Sequence, residues 1–205
     1  MSSSASYLDP VVLPLIVGES VLDVGCGYGR WGHLLRSNFW EAGLAVPPVV
    51  DGIDAFPPNV ELSRSGGAYR SVWLHVLPDP LAGAWDTVLA CEVIEHVPQE
   101  AVEAAFAVLE AAARRRVIVT TPSFPALRGG VETIVGFNEF DAHRSFVPAS
   151  LLRARGYRLL GAGWGRPGNP LVDLATRLRL APSLHSTVRR LPWLAETLVA
   201  VKDVG

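Results

Sequence analysis

One α/β domain built on a largely parallel sheet is the fold the sequence predicts. Three observations carry that expectation. Short apolar runs recur along the 205 residues, with amphipathic stretches between them. The first run, Val21-Leu22-Asp23-Val24, opens into Gly25-Cys26-Gly27-Tyr28-Gly29, which reads as a strand turning into a helix. The polar residues capable of chemistry cluster where the runs end, and open α/β sheets bind ligands beyond the carboxyl ends of their strands.

Composition sets the outer bounds. With 49% hydrophobic and 19% charged residues, the chain is globular and not disordered. No apolar run approaches the roughly 20 residues needed to cross a bilayer. Met1 to Ser6 is polar and lacks a basic segment followed by an apolar one, so no export signal is expected. Cys26 and Cys91 have neither disulfide nor zinc spacing, and the expected compartment is the cytoplasm. Charge is uneven. Residues 1–113 carry 4 arginines against 14 acids, whereas residues 114–205 carry 14 basic residues against 6 acids. A basic second half can face an anionic acceptor, nucleic acid or a membrane surface, or can simply be solvated arginine.

The elements follow in order. Tyr7 to Val17, with Pro10 and Pro14, reads as a short leading helix over the glycine turn. Ser20 to Val24 is the first strand, and its helix runs from Gly29 to Ala42. Val49 to Asp54 is the second strand and ends on an acid. Pro57 to Ser65 is a helix, and Tyr69 to Val76 a third strand. Trp85 to Cys91 is an apolar fourth strand. Pro98 opens a helix over Gln99 to Ala113, proline being favoured in the first turn. Arg116 to Thr121 is the fifth strand. Pro148 to Arg155 is a helix closed by Gly156. Tyr157 to Gly163 and Glu196 to Val201 are the last two strands. Between them, residues 167–193 look like an insertion within one domain spanning 1–205. It carries leucines at helical spacing with Arg177, Arg179, Arg189 and Arg190 among them. A lid, a membrane-surface contact and a dimer element all fit that pattern.

The glycine turn fits two cofactor classes. Gly27-x-Gly29-x-x-Gly32 matches the dinucleotide fingerprint, which points to an NAD(P)-binding oxidoreductase. Asp23-x-Gly25-x-Gly27-x-Gly29 resembles motif I of the class I S-adenosylmethionine (SAM) methyltransferases. The second pattern is the more specific, since it adds an acid and a third spaced glycine. No Tyr–Lys pair for hydride chemistry is apparent, Lys202 being the only lysine.

Further stretches extend the resemblance: Gly52-Ile53-Asp54, Trp85 to Val97, and His143-Arg144-Ser145-Phe146-Val147-Pro148 through Gly156-Tyr157. The chain is similar to the branch holding the ubiquinone-biosynthesis O-methyltransferases and related "methyltransferase type 11" proteins. That resemblance implies a Rossmann-like seven-stranded sheet of order 3-2-1-4-5-7-6, with strand 7 antiparallel. It implies a cofactor site of Asp23, Gly25, Cys26, Gly27, Gly29, Asp54, Ala55, Cys91 and Glu92, with Asp54 on the ribose hydroxyls. The acid that many relatives carry after strand 3 is missing here, which leaves Trp73 or His75 as the adenine wall.

Glu92, Glu95 and His96 stand at i, i+3 and i+4 after the fourth strand. On one helical turn these groups share a face. Two carboxylates and an imidazole make a divalent-metal half-site, and His143 offers a fourth ligand from the same sheet edge. The arrangement resembles that of magnesium-dependent relatives, the ubiquinone O-methyltransferases and small-RNA 2′-O-methyltransferases. It implies Mg²⁺ assistance, with His96, Glu95 or His143 in the catalytic roles. The function implied is O-methylation of a small molecule. RNA methylation is the alternative, disfavoured because no appended RNA-binding domain is seen; a non-catalytic SAM-binding protein is another.

Overall fold

The structure, a computed structural model, describes residues 4–165, 170, 173–174 and 185–205. A leading segment comes first, with a short helix α1 at Asp9–Val12. Then come β1 (Ser20–Val24), α2 (Arg30–Ser37), β2 (Val49–Asp54), α3 (Pro57–Ser65), β3 (Ser71–Leu74) and β4 (Trp85–Cys91). They are followed by α4 (Val102–Ala112), β5 (Ala113–Pro122) and a hairpin of β6 (Val131–Thr133) and β7 (Gly136–Asn138). The chain closes with α5 (Ala149–Ala154), β8 (Arg158–Trp164), α6 (His185–Arg190) and β9 (Ala195–Asp203).

Seven strands form one sheet in the order β3-β2-β1-β4-β5-β9-β8. β1 to β5 pair in parallel, and β9 runs antiparallel to both its neighbours. This is the expected order and polarity, since the separate β6–β7 hairpin only shifts the numbering. The strands alternate at period 2, so each sends side chains to both faces. Leu22, Val24, Val88, Ala90, Val117 and Val119 pack with Phe106 and Leu109 of α4. Val21, Leu89, Ile118 and Val199 pack with Trp31 and Leu35 of α2 and with the leading segment through Leu8, Val12, Leu13 and Ile16. Helices on both faces are what a buried parallel sheet needs.

Several boundaries differ from the sequence reading. The helix expected to reach Ala42 stops at Ser37 and continues only as a 3₁₀ turn over Phe39–Ala42. There the Ser37 hydroxyl donates to the His33 carbonyl (2.9 Å), competing for the groups that would carry the helix on. The helix expected over Gln99–Ala113 opens as 3₁₀, and Ala113 already belongs to β5. β3 is shorter than expected, and Tyr69 lies before it. The β6–β7 hairpin has no counterpart in the sequence reading. The expected insertion at 167–193 falls mostly outside the described residues; within it, α6 is followed by a 3₁₀ turn at Pro192–Leu194. Among the described residues no helix is long and apolar enough to cross a membrane.

Candidate active site

The carboxyl ends of β1, β2 and β4 open into a cavity of about 620 Å³. Its floor at one end is the glycine turn. Gly25, Gly27 and Gly29 all hold positive φ (67°, 54° and 84°), which only glycine takes without strain. A Cβ on Gly25 would also meet Val93 Cγ2 at 2.5 Å. The turn is therefore bare backbone pressed close to its neighbours.

Asp54, at the end of β2, ties the turn to the second strand. Its Oδ2 accepts from Gly27 N (2.8 Å), while Oδ1 accepts from Phe56 N (2.9 Å) and Asn59 Nδ2 (3.2 Å). Burial pushes its carboxyl upward, and these donors oppose the shift. Oδ2 keeps a second lone pair, suited to a hydroxyl donor. Ala55, Cys26, Cys91 and Glu92 also line the cavity. Both thiols are buried and pushed well up by burial.

Three of the expected cofactor residues sit elsewhere. Trp73 is off the cavity wall and stacks on Trp85, with ring centroids 6.2 Å apart. The alternation of β3 turns it toward the α4 face of the core, so of the two adenine-wall candidates only His75 lines the cavity. Asp23 lies beneath the turn, 1% exposed. Gly29 caps α2 and packs on Tyr69, where a Cβ would stand 3.2 Å from the ring.

Tyr69 is the residue that sequence reading missed. Its ring fills the space that side chains would occupy at Gly29, Gly32 and Gly52. A Cβ on Gly32 would stand 2.5 Å from it and one on Gly52 3.1 Å. Its hydroxyl donates to Asp23 Oδ2 (2.6 Å) and accepts from Gly32 N (3.1 Å). Gly32 N–H lies in the first turn of α2, where a dinucleotide pyrophosphate would seek donors. Here Tyr69 holds it. The third glycine of the dinucleotide pattern thus serves close packing, admitting a tyrosine ring.

The other end of the cavity holds Glu95, His96 and His143. One ligand atom from each lies within 4.8 Å of the others. Backbone bonds build this corner. Arg144 N and Ser145 N both donate to the Glu95 carbonyl (2.7 and 3.0 Å), so the segment after His143 clamps the turn after β4. His96 Nδ1 faces the Ala142 carbonyl at 3.1 Å. A carbonyl only accepts, so Nδ1 carries the proton and Nε2 keeps its lone pair. The two imidazole rings meet edge to face, centroids 4.9 Å apart. Burial lowers both histidines, His143 to about 4, so both are neutral at pH 7. Asp141 Oδ1, 3.6 Å from His96 Nε2, opposes that shift without overcoming it.

Glu95 is 2% exposed, and among the described residues neither carboxylate oxygen has a partner at hydrogen-bond geometry, Thr121 being the side chain that bears on it most nearly. Burial drives its carboxyl well above the normal range. Glu92 stands outside this group. It takes φ 55°, so residues 92–96 do not form the expected single helical turn; only Ile94–His96 is helical, as 3₁₀. Its Oε1 accepts from Thr120 Oγ1 (2.7 Å), and burial raises it to about 7. The structure brings together three of the four expected metal ligands.

The family model for a methyltransferase domain matches residues 5–160. The chain belongs to the class I SAM-dependent methyltransferases. It is 35% identical over 88 residues to the ubiquinone biosynthesis O-methyltransferase of Bordetella avium (strain 197N), a stretch covering 40% of this chain and 33% of that protein. The match thus spans about a third of the curated relative's length. The magnesium protoporphyrin IX methyltransferase of Synechocystis PCC 6803, solved with bound SAH, superimposes with TM-score 0.55 at 16% identity, over 97% of this chain and 80% of that one. The methyltransferase domain of bacterial CtHen1-C gives TM-score 0.58 at 17% identity, over 96% and 94%. Four cavity residues of this methyltransferase carried no sequence signal. They are Asn59, Arg128 and Asp141, together with Arg30, whose guanidinium pairs with Asp9 (2.5 and 2.7 Å).

Proposed function

We propose that this chain transfers the methyl group of SAM to an oxygen of a small-molecule acceptor. The observation that carries the reading is that the glycine turn and the Glu95–His96–His143 corner open into one cavity. A methyl donor seated over Gly25 to Gly27, with its ribose on Asp54, has its reactive end toward that corner. The names of the ubiquinone relatives support oxygen as the target.

In the proposed reaction the acceptor O–H loses its proton, the oxygen takes the methyl from sulfonium sulfur, and S-adenosylhomocysteine (SAH) leaves neutral. His96 is suited to take the proton, because its Nε2 lone pair is held free by the Nδ1 bond to Ala142. Positioning supplies much of the remaining rate, since two reactants are held in one cavity.

The corner also fits a divalent cation such as Mg²⁺, because a buried carboxylate without partners and two neutral imidazoles make a matching donor set. Glu95, His96 and His143 would hold it, with His96 Nε2 then committed to the ion in place of the base role, and the ion would supply charge stabilisation for an ionising acceptor. Glu92 is not part of that set.

The test is calorimetric titration of SAH, SAM and NADH, each with Mg²⁺ or EDTA, followed by radiolabelled methyl transfer to a panel of catechols. SAH binding with NADH silent, and label in an alkali-stable ether, is the expected result. NADH binding in place of SAH would overturn the cofactor, and label on nitrogen or carbon would overturn the oxygen target. Activity unchanged by EDTA would remove the cation.

A further inference from the structure

We infer that the methyl acceptor is an anion whose carboxylate or phosphate is bound by Arg144, with Arg128 beside it, at the rim of the cavity next to His143. The inference rests on the O-methylation reading and names the class of substrate for that site.

Among the described residues, three arginines line the cavity, and their states differ. Arg30, at the glycine-turn end, is satisfied by both oxygens of Asp9 at normal distances. Arg144 and Arg128 are at the other end. The Arg144 guanidinium makes one long contact, Nη2 to the Glu139 carbonyl at 3.4 Å. Arg128 Nη2 reaches Asp141 Oδ1 at 3.3 Å, with the side chain 37% exposed. Contacts of that length are weak. The two heads therefore carry spare donors into a space large enough for a ligand.

Their backbones, in contrast, are pinned. Arg144 N donates to the Glu95 carbonyl at 2.7 Å, and Arg128 pairs with His143 in an isolated antiparallel bridge. Both residues are thus tied to the corner that is proposed to handle the acceptor oxygen. A guanidinium presents its donors as a planar fork, which matches a carboxylate or phosphate through two parallel bonds. Apolar groups line the space between. Val97, Val131 and Phe140 are among the lining residues, which suits a flat hydrocarbon frame joining the reacting oxygen to the anion. A hydroxylated aromatic acid has that layout.

The experiment uses the full chain loaded with SAH. It compares 3,4-dihydroxybenzoate with 3,4-dihydroxybenzamide, which differ in charge and little in shape, and adds inorganic phosphate as a competitor. The acid should bind at least tenfold more tightly than the amide at low salt, with the gap shrinking as salt rises. Arg144→Gln should remove the preference while leaving SAH affinity unchanged, and Arg144→Lys should restore part of it. Displacement of the acid by millimolar phosphate would assign the subsite to phosphates in general; no displacement would assign it to carboxylates. Equal binding of acid and amide by the unmodified protein overturns the inference without any variant having to fold. So does an equal loss of both ligands in Arg144→Gln, or the failure of either to bind a protein that binds SAH. Failure of SAH itself to bind would instead overturn the methyltransfer reading.

Discussion

Replacing Tyr69 by Phe removes one oxygen and tests the anchor beneath the glycine turn. That oxygen makes two bonds, to Asp23 Oδ2 at 2.6 Å and from Gly32 N at 3.1 Å. Asp23 is fully buried, and its Oδ1 has no hydrogen-bond partner, so the variant leaves the carboxyl without its tyrosine donor. A bond to a charged group is worth about 1.5–3 kcal/mol and a stranded buried amide roughly 1 more, which gives about 2–4 kcal/mol lost. In a domain of this size that is a fall of about 5–15 °C in Tm. The sign with pH is also fixed. Burial raises Asp23 to about 7 in the folded state, against an ordinary carboxylate value when unfolded, and the Tyr69 bond is what restrains the shift. The raised group favours folding below its unfolded pKa, and that contribution is lost as pH climbs to about 7. Without Tyr69 the folded value rises further, so the loss continues above pH 7. Urea unfolding of both proteins at pH 6 and pH 9, followed by tryptophan fluorescence, should show a larger difference at pH 9. SAH affinity should fall in parallel. A difference below about 0.5 kcal/mol at both pH values, or one that shrinks toward pH 9, would refute the anchor.

Other consequences can be checked in the same way. Gly32→Ala places a methyl 2.5 Å from the Tyr69 ring and should cost about 1–3 kcal/mol; Tyr69→Ala in the same chain should recover part of it, seen as non-additivity in a double-mutant cycle. Glu95→Gln should hold or raise the melting temperature, because a buried acid without partners is replaced by its neutral analogue, while methyl transfer falls at least tenfold in a radiolabel assay. Cys26 and Cys91 should resist iodoacetamide at pH 8 until the chain unfolds, since both thiols are buried with pKa values pushed up; mass spectrometry reads the labelling. Glu110→Gln should lower stability by about 1 kcal/mol at pH 7, as it loses charge-assisted bonds from Arg155 and Lys202. The difference should shrink as pH falls through the ordinary carboxylate range and below it, because Lys202 and Arg155 hold the Glu110 pKa lowered in the folded state, as denaturant titrations would show.

The sheet was legible because its strands are read locally. β1, β2 and β4 are short, nearly continuous apolar runs buried on both faces, and each is closed by a glycine or an acid. The hairpin was not legible, because β6 and β7 have three residues each and half-exposed side chains, too short for periodicity to register. Spacing pointed to Glu95 and His96, and His143 was added from its place on the same sheet edge; the same spacing also enrolled Glu92, which the structure sets apart from the other three. Counting i, i+3 and i+4 assumes a helix, and a positive φ at Glu92 breaks it before it begins. Asp141 and Arg128 gave no signal at all, since their place depends on how the 126–144 loop folds back over β4.

The glycine turn shows why pattern alone left two cofactors open. Both patterns count glycines, but the reasons for the glycines differ. Gly25 and Gly27 are glycine for backbone conformation at the cavity floor, where positive φ and close approach to a ligand are needed. Gly32 does not hold a positive φ and lies inside α2, where glycine costs about 1 kcal/mol relative to alanine. Its reason is 37 residues away, in the ring of Tyr69. Gly52 on β2 has the same reason from the other side. A tyrosine that occupies three glycine notches and holds the Gly32 amide binds β1, β2 and α2 into one unit, so the turn reaches its ligand already shaped.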